Sequence, residues 1–313
     1  MLKLIQNESI KIALRLRTWI MAALIVVIVL VAAIVINAHL KPNVNWKQAL
    51  LSQNAQAEAT LSNPHVYLPP IDRSRIKAQV TINTYDIAHN LPPGHQDAWV
   101  FTIGSLSVGQ IGVVFVTVLA GDIVAGEFAS GTIKALLTQP VNRTRIILSK
   151  YVSVLLVTLA MFVLVLVSSI VIGGIFFGFN GVGEPLVFVN VKQMVTQMTT
   201  GSYILLGYAF ALISGVMIVT IAFMISAVFR SSALAIALSI ITLFVGVSLV
   251  QLLSSFTWDK YILFANTDLM QYITGGPPVA GMTMGFSIVV LAVYFIVLNA
   301  VSWRVFVQRD VSS

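Results

Sequence analysis

The chain has 313 residues, of which 58% are apolar and only 9% are charged, and its formal net charge is +7. Because soluble domains are about one-quarter charged, this composition excludes an ordinary soluble protein and indicates a membrane protein. The absence of cysteine excludes disulfides, thiolate metal sites and a cysteine nucleophile.

The first segment, residues 1–18, has a helical pattern with a polar stripe of Lys3, Asn7, Lys11 and Arg15 opposite apolar residues. Such an amphipathic, basic helix is typical of a segment lying on the anionic inner membrane surface. We therefore predict a cytoplasmic interfacial helix. The alternative is a helical extension of the first membrane span with a positively charged flank.

Six later segments are apolar over about 20 residues, the length that crosses a bilayer of about 30 Å. The third of them is long and must tilt, or bend near Gly173 and Gly174. Gly121 is predicted to end the second as a C-cap. The predicted fold class is an all-α polytopic membrane protein with six transmembrane helices, an N-terminal interfacial helix and an enlarged first extracellular loop. The predicted spans are 19–38, 99–121, 151–179, 203–229, 232–254 and 281–303.

The basic residues set the predicted orientation. Of the 18 Lys and Arg residues, 11 fall in 1–18, 122–150, the 230–231 connection and the tail 304–313. Since cytoplasmic loops carry the excess of Lys and Arg, these segments are predicted to be inside. The expectation is a multi-pass protein of the plasma membrane with both termini in the cytoplasm.

The largest predicted extracellular segment is the insert 39–98. Within it, 47–61 is expected to be helical, and 79–85 alternates apolar and polar residues as a short strand does. All four histidines of the chain lie here at irregular spacings, which favours scattered solvent-exposed residues over a metal site. They are His39, His65, His89 and His95.

Two further extracellular segments are predicted. Residues 180–202 form a loop, and the aromatic stretch 255–280 fits short interfacial or re-entrant helices. At the inner face, the fourth and fifth spans are joined by a tight connection in which Ser231 or Ser232 is suited to cap the fifth span.

The cytoplasmic segment 122–150 is the most informative part of the sequence. Ser130 or Thr132 is suited to cap a short helix, and Pro140 lies just beyond its end. Glu127 precedes this helix, where a negative charge is favourable, and is expected on a water-accessible surface. The apolar side of the helix needs cover from lipid or from a groove on another protein. That side consists of Ile133, Leu136 and Leu137.

An ordinary inner loop is the alternative for this segment, because Arg143, Arg145 and Lys150 also satisfy the positive-inside rule. That alternative leaves unexplained why Asp122 and Glu127 are present.

Two absences limit the function. The chain has no Gly-x-x-x-x-Gly-Lys-Ser/Thr motif, so it is not expected to hydrolyse nucleotides or to catalyse a reaction on its own. No ionisable residue falls in the middle of a predicted span, which argues against an ion-coupled carrier and an intramembrane protease.

The order Gly126-Glu127, Gly131-Thr132, Leu136-Leu137, Pro140 and Arg143 resembles the cytoplasmic segment of ABC-2 type exporter permeases. The resemblance implies a coupling helix that docks on a separate P-loop ATPase subunit, which holds ATP and Mg, while this chain binds no cofactor. It also implies a second permease protomer, in a homo- or heterodimer within membrane lipid, with no nucleic acid. The implied substrate is hydrophobic or amphipathic, and the implied direction is export. The implied ATPase contacts are Glu127, Gly131, Thr132, Ile133, Lys134, Leu136, Leu137, Pro140 and Arg143.

Small residues indicate where protomers would meet. Close helix approach at Gly104, Gly109, Gly112 and Gly246 predicts a protomer contact built from the first, second and fifth spans, the alternative being packing within one chain. A rival function from another class is a membrane sensor or assembly factor that uses 39–98 as its receptor module and transports nothing.

Overall fold

The computed structural model describes residues 1–39, 45–66, 68, 70–90, 97–133, 141–179, 182–183, 185–189, 195–253, 256–274, 277, 279 and 281–308. Helices dominate this part of the chain. They are α1 (Leu2–Ala13), α2 (Leu16–His39), α3 (Trp46–Ser62), α4 (Pro70–His89), α5 (Ala98–Gly104), α6 (Leu106–Asp122), α7 (Ala125–Ala129), α8 (Arg143–Phe177), α9 (Thr200–Val228), α10 (Ser232–Leu253), α11 (Leu263–Asn266) and α12 (Met284–Gln308).

Five of the described helices are long and apolar enough to cross a membrane, and the bent pair α5–α6 makes a sixth if it forms one span. The chain is therefore a multi-pass membrane protein that is almost wholly α-helical. The other regular elements among the described residues are two 3₁₀ turns and an antiparallel hairpin of β1 (Pro185–Val189) and β2 (Val195–Thr199), in which Leu186 lies opposite Met198. This hairpin falls in the predicted 180–202 loop.

The core of the bundle is built around α6 and α9. Helix α6 packs against α2, α8, α9 and α10, and α12 packs against α9. Fully buried apolar side chains such as Val113, Val116, Val165 and Phe223 fill the space between them. Side chains on the outer faces of α2, α10 and α12 are largely exposed, as expected for helices that meet lipid.

The second predicted span is not one straight helix. Helices α5 and α6 meet at Ser105 with an angle of 44°. The Asp97 carboxylate begins α5 by accepting hydrogen bonds from the backbone N–H groups of Trp99 and Val100, at 2.8 and 2.7 Å. Gly121 is also not a C-cap, because α6 continues to Asp122.

Gly121 instead allows two helices to approach. A β-carbon at this position would lie 3.2 Å from the Cα of Ile236, so the glycine brings α6 close to α10. Helix α8 runs through Gly173 without a break, and a β-carbon there would lie 3.1 Å from the Cα of Ala98. Both glycines therefore serve close packing rather than chain reversal.

The strand predicted at 79–85 is wrong, since these residues lie within α4. Gln79 and Asn83 are four residues apart and share one helical face. Gln79 Nε2 donates to Asn83 Oδ1 at 2.8 Å, and Asn83 Nδ2 donates to Asn54 Oδ1 of α3 at 2.8 Å. The polar residues of the alternating pattern thus pair α4 with α3. Tyr85 then joins this pair to the β-hairpin by accepting a hydrogen bond from Gln197 Nε2 at 2.6 Å.

Three of the four glycines assigned to a protomer contact pack within the chain. A β-carbon would meet Phe162 at Gly109, Ile25 at Gly112 and Phe264 at Gly246. Gly104 has no atom within 4 Å of that position. These three glycines therefore have neighbours within the chain, in line with the alternative of intrachain packing.

Candidate functional site

The N-terminal helix, the segment after α6 and the start of α8 meet at one end of the bundle, here called the α1 end. Their meeting point is Lys150, whose side chain is fully buried. Its Nζ lies 2.8 Å from Glu8 Oε2 and 2.6 Å from Glu127 Oε1. Lys11 Nζ adds a second cation, 2.8 Å from Glu8 Oε1 and 3.7 Å from Glu127 Oε1. We call these four residues the lysine cluster.

The lysine cluster follows from the sequence of the two helices. Asn142 caps α8 by accepting a hydrogen bond from Thr144 N–H at 3.0 Å, so the helix begins two turns before the predicted third span and Lys150 becomes an internal helical residue. Helix α1 lies against this face of α8. Ser153 Oγ donates to the Ile5 carbonyl oxygen at 3.1 Å and accepts from Ser9 Oγ at 3.2 Å.

The charges of the lysine cluster stabilise one another. Burial alone would raise the pKa of the Glu8 carboxyl, but Lys150 and Lys11 outweigh burial and hold the pKa below its usual value. Burial likewise acts to lower the pKa of Lys11, but Glu8 and Glu127 outweigh it and raise that pKa. The described chain leaves one atom of the cluster unsatisfied, the buried Glu127 Oε2.

A second group of ion pairs surrounds Asp122 at the end of α6, and we call it the aspartate cluster. Arg15 Nη1 lies 2.9 Å from Asp122 Oδ2, and Arg17 Nη2 contacts the same oxygen. Ser232 Oγ, at the start of α10, donates to Asp122 Oδ1. The turn between α1 and α2 is therefore joined to the ends of α6 and α10.

Helix α7 carries Glu127 of the lysine cluster and begins shortly after Asp122 of the aspartate cluster. The backbone N–H groups of Val124 and Ala125 donate to Ser226 Oγ of α9 at 3.1 and 3.0 Å, which fixes the start of α7. Gly126 faces Asp122 so closely that a β-carbon would lie 2.6 Å from Asp122 Oδ1. After α7, Gly131 has a φ of +73°, a conformation that favours glycine.

The nine residues assigned to a partner contact have different environments. Glu127 is not on a water-accessible surface, because its side chain is only 13% exposed and is held by Lys150. Gly131 and Thr132 are exposed, whereas Ile133 is buried in the core. Arg143 Nη1 donates to the Val307 carbonyl oxygen of α12 at 3.0 Å. The remaining four, Lys134, Leu136, Leu137 and Pro140, lie outside the described residues, as does most of the short helix predicted there.

A family model described as "Protein of unknown function (DUF2705)" matches residues 80–312. The chain belongs to this family. It is similar to "Uncharacterized protein YhcI" of Bacillus subtilis strain 168, with 36% identity over 318 residues and all of both chains covered. It is also similar to "Uncharacterized membrane protein YdbK" of the same strain, with 34% identity over 202 residues, 62% of this chain and 75% of YdbK.

The match to DUF2705 includes α7 and Lys150 but not Glu8, which lies in α1. The sequence alone does not show that Glu8 pairs with Lys150: there Arg15 belongs to the polar stripe of the N-terminal helix, and Lys150 satisfies the positive-inside rule. A signal was present, because Glu8 is the sole acid among residues 1–18 and lies in an otherwise basic amphipathic helix. Its burial identifies the face of α1 that docks on α8.

The α1 end of this DUF2705 protein joins several helices through buried charges. No group of three or more His, Cys, Asp or Glu residues suited to a metal ion occurs in the described part of the chain. The lysine cluster connects α1, α7 and α8, and the aspartate cluster connects the α1–α2 turn with α6 and α10. Gly131 and Thr132, just beyond α7, are exposed.

Proposed function

We propose that this protein is the transmembrane subunit of an ATP-driven exporter of the ABC-2 type. In this proposal it has both termini in the cytoplasm, forms a dimer in the plasma membrane and pairs with separate P-loop ATPase subunits. ATP and Mg reside on those subunits. The cargo is a hydrophobic or amphipathic molecule.

The observation that carries the proposal is the lysine cluster. A buried cation shared by two carboxylates from separate segments ties α7 to two other helices, because separating them would leave buried charges unpaired. Movement of the turn at Gly131 and Thr132 is therefore transmitted to α1 and α8 rather than lost in a loose loop. This is the property that a segment driven by an ATPase needs.

The position of the turn gives the second support. Gly131 and Thr132 are exposed, they belong to the sequence order that resembles ABC-2 permeases, and only Ser130 separates them from α7. The ATPase subunit docks on this turn and on the segment that follows it. Closure of two ATPases pushes the turn, the lysine cluster carries the displacement to α8, and the spans of two protomers rearrange around a shared path.

The proposal is tested by purifying the tagged chain from its native membrane under mild conditions and identifying copurifying proteins by mass spectrometry. We expect a P-loop ATPase in stoichiometric amount and ATP hydrolysis by the complex. Stringently purified chain alone should hydrolyse no ATP, since it lacks a phosphate-binding loop.

The matched variants are Thr132→Arg at the exposed turn and Gln308→Arg, an exposed position at the end of α12. A buried unpaired charge at an interface costs about 2–5 kcal/mol, so Thr132→Arg should reduce ATPase recovery by tenfold or more. Gln308→Arg should leave it unchanged. Full ATPase recovery and hydrolysis with Thr132→Arg would refute docking at this turn.

A second candidate is a membrane sensor or assembly factor, and the observation that favours it is the ordered pair α3–α4. Buried Asn83 joins the two helices, and Tyr85 connects them to the β-hairpin. Such a unit is suited to receive an extracellular ligand without transport. The two candidates differ in one measurement: a sensor's output survives inactivation of the partner ATPase, whereas export stops.

A further inference from the structure

A cavity of about 230 Å³ lies between α8, α9 and α12, and no residue of either charge cluster lines it. Its walls are mainly apolar, and it opens to the outside of the bundle beside Leu148 and Trp303, which are about half exposed. A cavity of about 150 Å³ is sufficient to bind benzene, so this one has room for a stretch of hydrocarbon.

The polar groups of the cavity are already engaged by protein. Tyr151 Oη is 2.7 Å from Thr220 Oγ1, and Asn299 Nδ2 donates to the Phe295 carbonyl oxygen at 2.9 Å. At the opening, Trp303 Nε1 donates to Thr144 Oγ1 at 3.0 Å. A ligand therefore meets mostly carbon inside the cavity.

Two cationic residues are sequence neighbours of residues that line the cavity, and one of them, Arg304, donates from Nε to Gln308 Oε1 at 3.4 Å. Arg145 follows Thr144 on α8, and Arg304 follows Trp303 on α12, and both side chains are exposed. Neither arginine forms an ion pair with any described residue. Helix α12 is mostly uncovered by protein along its apolar length, so the cavity opens toward lipid hydrocarbon.

We propose that this cavity holds an acyl chain of an anionic phospholipid from the surrounding leaflet, with the phosphate of the headgroup bound by Arg145 and Arg304. The apolar walls and the opening toward lipid favour binding of the acyl chain, and the two arginines favour an anionic headgroup. The lipid is a resident ligand of each protomer, distinct from any transported cargo. This inference uses the proposed cytoplasmic position of the α1 end but not the ATPase partner.

The test uses the full chain reconstituted in bilayer nanodiscs that contain phosphatidylglycerol with a photoreactive group in its acyl chain. Labelled peptides are mapped by mass spectrometry, and labelling is expected on the peptides that carry Leu148 and Trp303. Phosphatidylcholine with the same photoreactive chain provides the comparison of headgroups.

Leu148→Trp should fill the cavity and reduce labelling on the order of tenfold, since the acyl chain of the lipid then buries about two fewer methylene groups. Leu156→Trp is the matched control, because Leu156 has the same 47% exposure on α8 and does not line the cavity. Arg145→Gln and Arg304→Gln should each weaken the preference for phosphatidylglycerol about fivefold. Equal labelling of the Leu148→Trp and Leu156→Trp proteins, or no preference for phosphatidylglycerol, would overturn the proposal.

A second measurement needs no cavity-filling variant. Phosphatidylglycerol brominated in its acyl chain should quench the fluorescence of Trp303, taken as the difference between the native protein and Trp303→Phe, more than brominated phosphatidylcholine does. Equal quenching by the two lipids would contradict the proposal. Because neither measurement involves ATP hydrolysis, failure here is distinct from failure of the Thr132→Arg docking test.

Discussion

At the scale of single residues, Lys150 is the position on which the α1 end depends. It is fully buried and is shared by carboxylates on two other segments. A buried charge gains stability only while its partners are present, and loss of one partner leaves the others desolvated and unpaired. The lysine cluster is therefore a strong link between segments rather than a large source of net stability.

We expect Lys150→Met to lower the free energy of unfolding by about 3–5 kcal/mol, because Glu8 and Glu127 then lose their buried cation and keep only the partly exposed Lys11. Thermal unfolding in detergent measures the change. Lys3→Met, at an exposed position of α1, should change stability by less than about 0.5 kcal/mol. Adding Glu8→Gln and Glu127→Gln to Lys150→Met should restore much of the loss. Equal melting temperatures for Lys150→Met and Lys3→Met would contradict this account.

The attachment of α1 should depend on pH. The pKa of Glu8 is lower in the folded protein than its usual value of 4.5, so its stabilising effect is present above pH 4.5 and is lost as the pH falls through the folded-state pKa. The pKa of Lys11 is raised above its usual 10.5, so its contribution is complete below pH 10.5 and is lost only above the raised value. Attachment is thus strongest between these limits.

A fluorophore on Leu2→Cys in this cysteine-free chain would report the attachment of α1. We expect its anisotropy to be high at neutral pH and to fall below pH 4.5, and Glu8→Gln should weaken that acid transition. An acid transition of unchanged size in Glu8→Gln would show that another group controls the attachment.

At the scale of elements, α7 is fixed by contacts with α6 and α9, and Gly126 allows it to approach Asp122 closely. The aspartate cluster requires that nothing project from Gly126 toward Asp122. The short helix is thus positioned by the end of α6 in front of it and by Ser226 of α9 beside it. This explains why a helix of only five residues keeps a defined place.

Gly126→Ala should therefore displace the Asp122 carboxylate from Arg15, Arg17 and Ser232. Overpacking of this kind costs about 1–3 kcal/mol, which thermal unfolding would detect. The control is Gly104→Ala, where a β-carbon meets no atom within 4 Å, and replacing this helical glycine should be neutral or slightly stabilising. If both variants unfold at the temperature of the native protein, the close contact at Gly126 carries no stability.

At the scale of the whole molecule, the exposed apolar faces decide where protomers can meet. Helices α2 and α10 are covered over little of their apolar length, and Phe244 and Val245 on α10 are exposed. Gly109, Gly112 and Gly246 pack within one chain, whereas these faces of α2 and α10 remain open.

We predict that a protomer contact uses the faces of α2 and α10. Phe244→Cys or Val245→Cys should form a disulfide between protomers in native membranes, because the chain has no other cysteine. Val163→Cys on α8, with 47% exposure, is the control and should stay unlinked. Absence of every cross-link along α2 and α10, or equal linkage at Val163→Cys, would rule out this arrangement.

Much of the element structure was predictable because it depends on local composition. The spans, the amphipathic α1 and the helix at 47–61 follow from apolar length and helical period, which are properties of neighbouring residues. The prediction of a strand at 79–85 was wrong for the same reason, namely that it used only neighbouring residues. A short alternating run fits a strand as well as a helix, and the pairing of Asn83 with Asn54 on α3 decided between them.

The sequence by itself determined that this is a multi-pass membrane protein with a polar segment between two spans, since each span must satisfy its own backbone in lipid and needs about 20 apolar residues. Only the tertiary structure decided what the charges of that segment do. Glu8 and Lys150 are separated by 142 positions and Glu127 and Lys150 by 23, so no local pattern relates them. Their meeting requires that α1 dock on α8, and the cost of burying an unpaired charge ensures that it docks with Glu8 facing Lys150.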